Sequence, residues 1–308
     1  MNDILLLSGV LVKKIWGGNY FKDVLKITNE NEKYGELWSL SAIKDYESII
    51  LNGKYKGLTL NEVYNLDKSL FANSNVLSFP TLIKIISAYD DLSVQVHPND
   101  EYALKNENSI GKTEGWLILS CEENSYIVYG HNAKDKEELK RKIDNNEYDT
   151  LLNKVKVKKG DFFKIPSGMI HAIGKGVTLL EIQQSSDITY RFYDYNRVDD
   201  NGNHRPLHIN KALDVTTYND DLSYENVFAL NKELIWNNEY FEVRLFNIKD
   251  ELILSTKNEY LMVSVIYGNV KVKDTSLSLG NSFIITSNNT VKLLSENGKI
   301  VVSKYRGK

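Results

Sequence analysis

The sequence predicts a mainly β fold, a barrel or sandwich with a few helices on its outside, and three observations carry the prediction. Only four prolines interrupt the chain. Short runs rich in Val, Ile and Tyr alternate apolar with polar residues along its length. Gly and Asn separate these runs at turn-like intervals. A length of 308 residues allows one large domain or two moderate ones, with ample core in either case.

The first apolar run, ILLLSGVLV from Ile4, is too short to span a bilayer. Asp3 precedes it and lysines follow it, the reverse of a secretory signal, so it reads as a strand. LTLNEVYNLDKSLFA (Leu58–Ala72), NDEYALKN (Asn99–Asn106) and KDKEELKRKIDNNEYDTLLNKV (Lys134–Val155) read as helices. The last is highly charged, as a solvated surface helix should be. Strands are expected at WLILS, SYIVYG, DFFKIPSG, VTLLEIQQSS and ITYRFYDY, and later at FEVRLFNI, YLMVSVIYGNVKV, SFIITS and KIVVSKY. VKVKKGDFFKIPSG and VKVKDTSLSLGNSFIITS share a strand followed by Gly-x-x-Phe-x-Ile. Gly160, Phe163 and Ile165 thus answer to Gly280, Phe283 and Ile285, through duplication of a β unit or chance likeness of two hairpins. The second copy has no His, Glu or Gln where the first continues into PSGMIHAIG.

Composition narrows the partners. A net charge of -3 and a pI near 6.0 give no electrostatic reason to expect nucleic acid or an anionic membrane. The lone Cys121 cannot form an internal disulfide, which fits a reducing compartment, and the cytoplasm is the expected location. Nothing in the sequence indicates an oligomeric state.

In DLSVQVHPND (Asp91–Asp100), strand alternation puts Ser93, Gln95 and His97 on one face and Leu92, Val94 and Val96 on the other. Glu114 stands directly before an apolar strand, and His171 lies in an apolar run after a Pro-Ser-Gly turn. Gln95, His97, Glu114 and His171 are a candidate four-ligand set for zinc, although a lone histidine in an apolar strand also fits a satisfied core residue. His131, His204 and His208 read as loop or surface residues. Along Val177–Ser186, Glu181, Gln183 and Ser185 share a face opposite Leu180, Ile182 and Gln184. A carboxylate inside a barrel needs a partner or a task. A structural Glu181–Arg191 ion pair and a catalytic role both fit.

These residues fall in segments that resemble, in order, the type I mannose-6-phosphate isomerases, zinc enzymes built on cupin barrels. The segments are WGG at Trp16, YGELWSLSA from Tyr34, FPTLIKIISAYDDLSVQVHPND from Phe79, GKTEGW from Gly111, and GDFFKIPSGMIHAIGKGVTLLEIQQSSDITYRFYDYNR from Gly160. The resemblance implies a jelly-roll metal-binding barrel over residues 1–215, with helical decorations, while the internal echo alone points to a smaller barrel without metal ligands over 216–308. It implies one Zn2+ per chain on Gln95, His97, Glu114 and His171. Arg191, Glu181 and Lys112 match active-site positions, and Lys84, Ser93 and Arg197 match those thought to hold the sugar phosphate. Some relatives carry Lys at the Arg197 position, which keeps the charge but changes donor geometry. Gly115 stands where many relatives have a larger residue, which implies a different pocket shape beside the metal.

The expected activity is interconversion of mannose 6-phosphate and fructose 6-phosphate through a cis-enediol. Burial is expected to raise Glu181 toward the near-neutral range that suits a general base. The alternatives on the same scaffold are a metal-dependent oxygenase and a non-catalytic sugar-phosphate sensor.

Overall fold

The computed structural model describes residues 3–199 and 201–307. Its strands run β1 (Ile4–Leu6), β2 (Val10–Gly18), β3 (Tyr34–Leu40), β4 (Thr81–Ser87), β5 (Val94–Val96), β6 (Glu114–Cys121), β7 (Tyr126–His131), β8 (Leu152–Lys156), β9 (Asp161–Ile165) and β10 (His171–Ile173). They continue as β11 (Val177–Gln184), β12 (Tyr190–Tyr193), β13 (Tyr224–Asn226), β14 (Leu234–Asn237), β15 (Phe241–Ser255), β16 (Leu261–Tyr267), β17 (Val270–Val272), β18 (Thr275–Leu277), β19 (Ser282–Ile285) and β20 (Thr290–Tyr305). The α-helices are α1 (Tyr20–Asp23), α2 (Leu60–Leu66), α3 (Asp100–Glu107), α4 (Lys136–Asp144), α5 (Tyr148–Leu151) and α6 (Ile209–Val215).

The strands form three sheets. A seven-stranded sheet has the order β13-β9-β6-β11-β4-β3-β2, a five-stranded sheet the order β12-β5-β10-β7-β8, and an eight-stranded sheet gathers β1 with β14–β20. All pairings are antiparallel among the described strands. Strand exchange links the two ends of the chain. β1 pairs with β19 in the eight-stranded sheet, and β13 pairs with β9 in the seven-stranded one.

Alternation along β11 shows how the layers stack. Leu180 and Ile182 join Ile83, Ile85 and Leu117 in a core shared with Val243, Met262, Ile284 and Val301 of the eight-stranded sheet. Leu179 faces the other way, with Trp116, Ile118, Ile127 and Tyr129, into the space between the seven- and five-stranded sheets. The outer face of the five-stranded sheet, Val94, Val96, Val128 and Ala172, is covered by Leu139 and Ile143 of α4 and by Ala212 and Leu213 of α6. Glu181 and Lys84 therefore point between the two sheets, where a site can form. The two echoed segments have matching geometry. Gly160 and Gly280 have φ of +91° and +97°, a conformation open to glycine, and the Phe and Ile that follow are buried in each case.

Several expected elements are interrupted. The run from Ile4 bends at Leu7–Gly9 into β1 and β2, and Gly268, at φ +71°, separates β16 from β17. The stretch Leu58–Ala72 splits into α2, with a Thr59–Glu62 capping box, and a 3-10 turn at Lys68–Phe71. The expected helix from Lys134 stops at Asp144. Asn146 is left-handed there, and Leu152–Lys156 pairs as β8 with β7. Leu92 lies before β5 and packs inward, so alternation of the motif strand holds only from Ser93 onward. No helix among the described residues is long and apolar enough to cross a membrane.

Candidate metal centre and active site

Strand register brings the polar groups together. In the five-stranded sheet Gln95 stands opposite His171 on one side and Arg191 on the other. In the seven-stranded sheet Glu181 stands opposite Lys84 and Trp116. His97 leaves the end of β5, and Glu114 opens β6.

His97, Glu114 and His171 are buried, and one donor atom from each lies within 4.8 Å of the others. His97 donates from Nδ1 to the Ile188 carbonyl at 2.7 Å, and His171 from Nδ1 to the Met169 carbonyl at 2.8 Å. Those bonds place the ring protons on Nδ1 and leave both Nε2 atoms as lone pairs. Burial, followed by the nearby Lys112 charge, lowers both imidazoles and keeps them neutral, His171 at about 3. The two Nε2 atoms face each other across 3.1 Å, and the Glu114 oxygens lie 3.3 and 3.6 Å from them. Neither Glu114 oxygen has a directed hydrogen bond, although Lys112 Nζ lies 2.6 Å from Oε2 and 3.0 Å from His97 Nε2. Burial, with the Glu181 charge behind it, pushes the Glu114 carboxyl up to about 8. Two opposed lone pairs and a carboxylate short of donors are the surroundings a divalent cation satisfies, and the N and O donor set suits zinc or iron. Gln95 presents Nε2 to His171 at 3.5 Å, so its amide must turn to offer oxygen to a cation.

Beside this cluster lies a pocket of about 120 Å³. Its walls include Lys84, Ser93, Gln95, Lys112, His171, Glu181 and Arg191, with Lys14, Trp16, Glu36, Trp38 and Arg205. Glu181 pairs with Lys84 at 2.7 Å and accepts from Trp116 Nε1 at 2.8 Å. Its partner is thus Lys84 rather than Arg191. The expected upward shift of Glu181 is reversed. Burial raises it, but Lys84, Lys112 and Trp116 together outweigh burial and hold it well below the carboxylate range. Arg191 donates from Nε to Ser93 Oγ at 3.1 Å and from Nη1 to the Pro206 carbonyl at 3.1 Å. Arg197 is not in the pocket wall. It donates to Asp194 at 2.7 Å and to the Asp91 carbonyl, while its buried Nε has no acceptor. Gly115 faces away from the pocket: a Cβ there would meet Trp236 at 2.8 Å and Phe162 at 2.9 Å. A larger residue at that position would press on the core between sheets, not on the site.

Glu36, Arg205 and His208 received no site role from the sequence. Glu36 accepts from Trp38 Nε1 at 2.6 Å and lies 4.0 Å from Lys84. The available signal was a carboxylate inside YGELWSL, whose seven residues are all buried. Arg205 binds Asp194 through Nε and Nη2, at 2.7 and 2.5 Å. His208 accepts the Arg191 N–H at 3.3 Å and donates its own backbone N–H to the Arg191 carbonyl at 2.6 Å. Both sit in a polar loop that offers no periodicity to read.

The fold and donor cluster define a cupin-type β protein with a metal-competent pocket. A model of the phosphomannose isomerase type I catalytic domain matches residues 4–115. A mannose-6-phosphate isomerase of Streptococcus mutans is 42% identical over 300 residues, spanning 95% of this chain and 94% of that one. One from Bacillus subtilis is 43% identical over 270 residues, 86% of this chain and 85% of the other. The crystal structure of the Bacillus subtilis mannose 6-phosphate isomerase superposes with a TM-score of 0.91 at 36% identity, covering 98% of this chain and 99% of its own. The chain belongs to the type I phosphomannose isomerase family.

Proposed function

We propose that this chain is a mannose-6-phosphate isomerase that interconverts mannose 6-phosphate and fructose 6-phosphate through a cis-enediol, with one zinc ion on Gln95, His97, Glu114 and His171. The observation that carries the reading is the convergence of Glu181 and Arg191, from two different sheets, on one pocket that abuts the His–Glu–His cluster. Curated isomerases 42% and 43% identical to the chain agree with it.

Zinc, when bound, supplies Lewis-acid stabilisation of negative charge on a sugar oxygen without redox change. The remaining work falls to side chains. Glu181 takes the proton from one of C1 and C2 and returns it to the other. The Lys84 pairing keeps it ionised and therefore ready to accept, at some loss of basicity. Arg191, oriented by Ser93 and the Pro206 carbonyl, stabilises the oxygen on which enediolate charge collects. Lys112 pairs with Glu114 from the pocket wall and holds it in place. Lys84, Ser93 and Arg197 are assigned to the phosphate. Ser93 in the wall supports its assignment, Arg197 stands outside the wall, and the close Glu181 contact of Lys84 draws it toward the reacting carbons. Binding the phosphate away from C1 and C2 positions them for proton transfer.

The test is a coupled assay of mannose 6-phosphate conversion before chelation, after chelation and after zinc is restored. Activity that disappears and returns with zinc is expected. Folded, zinc-restored protein without turnover would overturn the reading in favour of a sensor or another substrate.

A further inference from the structure

One carboxylate outside the pocket holds the turn that delivers both Lys112 and Glu114. Asp100 opens α3, three residues after His97. Its Oδ1 accepts the Gly111 N–H at 2.7 Å and Gln184 Nε2 at 3.0 Å, and its Oδ2 accepts the Tyr240 hydroxyl at 2.8 Å. Gln184 accepts the Thr113 N–H through Oε1 at 2.9 Å and donates its own N–H to the Thr113 carbonyl at 3.1 Å. The Lys112 N–H donates to the Pro98 carbonyl at 3.0 Å. Every backbone donor from 111 to 113 is therefore spent on this support. The packing leaves no slack, since a Cβ on Gly111 would lie 2.5 Å from the Asn99 carbonyl carbon.

Tyr240 comes from another sheet. It sits in the β14–β15 connection, where its N–H donates to Asn238 Oδ1 at 2.9 Å and its carbonyl accepts the Arg306 N–H at 2.7 Å. Burial, and then the bond to Asp100, raises its phenol above the ordinary range, so it remains a donor at neutral pH. The C-terminal sheet thereby reaches the ligand-bearing turn through a hydrogen bond to Asp100.

We infer that Asp100 is a positioning residue for the isomerase reaction, setting the Lys112–Glu114 turn against His97, and that Tyr240 gives the C-terminal unit a direct hold on that turn. The kinetic consequence rests on the isomerase reading above, whereas the structural consequence does not. A small displacement of Lys112 and Glu114 alters donor geometry at the metal and in the pocket while leaving Arg191, Ser93 and Arg197 in place. Turnover and metal retention should fall together, and KM should change little.

The experiment compares full-length, zinc-loaded wild type with Asp100→Ala, Asp100→Asn and Tyr240→Phe, and with Glu239→Gln as a neighbouring control. It reads kcat, KM, the half-time of zinc loss to excess chelator, and amide exchange of residues 111–114. Asp100→Ala is expected to lower kcat and shorten the zinc half-time on the order of a hundredfold, the scale of an ångström-sized misplacement. Asp100→Asn, which keeps an acceptor for Gly111, should recover part of that loss. Tyr240→Phe should give roughly a threefold to tenfold effect with KM within about twofold, and faster exchange confined to the turn. Wild-type exchange and zinc half-time in Asp100→Ala would overturn the inference, as would lower kcat with unchanged exchange at 111–114. If Asp100→Ala does not fold, Tyr240→Phe decides by the same readouts. An inactive wild type would count against the isomerase reading alone, because exchange and zinc loss would still be measured.

Discussion

Glu181 and Lys84 stand directly opposite each other on β11 and β4, and their side chains meet at 2.7 Å inside the molecule. Each charge is buried, and each is the other's principal partner. Burial alone would push the carboxyl up and the ammonium down. Their pairing reverses both shifts, with Lys112 and Trp116 adding to it at Glu181 and Glu36 at Lys84.

Removing Lys84 should therefore expose what burial does to Glu181. Lys84→Met is expected to move the acid limb of the pH–rate profile upward by more than one unit and to cost roughly 3 kcal/mol of stability, the usual scale for orphaning a buried charge. The sign follows from the carboxyl losing its main lowering partner, so it binds a proton at higher pH. A profile and a melting curve check both. An unmoved acid limb would mean that Glu181 does not set it.

Glu181→Gln should fold, keep its metal and lose about 10³-fold in kcat with KM nearly unchanged, as expected for removal of a general base. Metal content and kinetics on the same preparation test this. Near-normal turnover would shift the proton transfer to Lys112 or to bound water.

Arg191 makes one bond from Nε and one from Nη1, and an ammonium cannot reproduce both. Arg191→Lys is expected to reduce kcat by on the order of 10²-fold. A change confined to KM would instead place Arg191 on the phosphate.

His171 provides a pH prediction for metal-free protein. Its folded value of about 3 lies below the ordinary 6.5, chiefly because of burial and then Lys112. Between those values the unfolded chain binds a proton that the folded chain refuses. His171 should thus remove stability as pH drops from 6.5 toward 3, with a slope near 1.4 kcal/mol per unit. Glu114, raised to about 8, adds stability as pH falls, at the same rate, until pH reaches its ordinary 4.5. Melting of the chelated protein and of chelated His171→Gln across this range checks it: the variant should lose the His171 share of the slope and keep that of His97.

Gly115→Ala should destabilise by about 1–3 kcal/mol through the clash with Trp236 and Phe162, with kinetics little altered. An altered KM without a change in melting would return this position to the pocket.

Local patterns in the chain already mark many of the side chains that meet in the candidate site. Alternation from Ser93 to His97 marks the polar face, and the placement of Glu114 and His171 against apolar strands marks them as interior. Glu36 was harder to read because a single carboxylate in a buried strand has no local partner to reveal its task. Arg205 and His208 lie in a loop, where no period connects them to Asp194 or Arg191. Gly115 was misread because its orientation depends on which face of β6 meets the C-terminal sheet.

The sequence by itself determined which side chains share a face, because the two-residue period of a strand is a local property of the backbone. It also determined the chemical kinds of donor available. Only the tertiary structure decided which residues oppose each other across strands. It chose Lys84 rather than Arg191 for Glu181, and with that choice the direction of the Glu181 shift. Register joins segments some hundred residues apart and is set by how three sheets pack their cores, which no local pattern encodes.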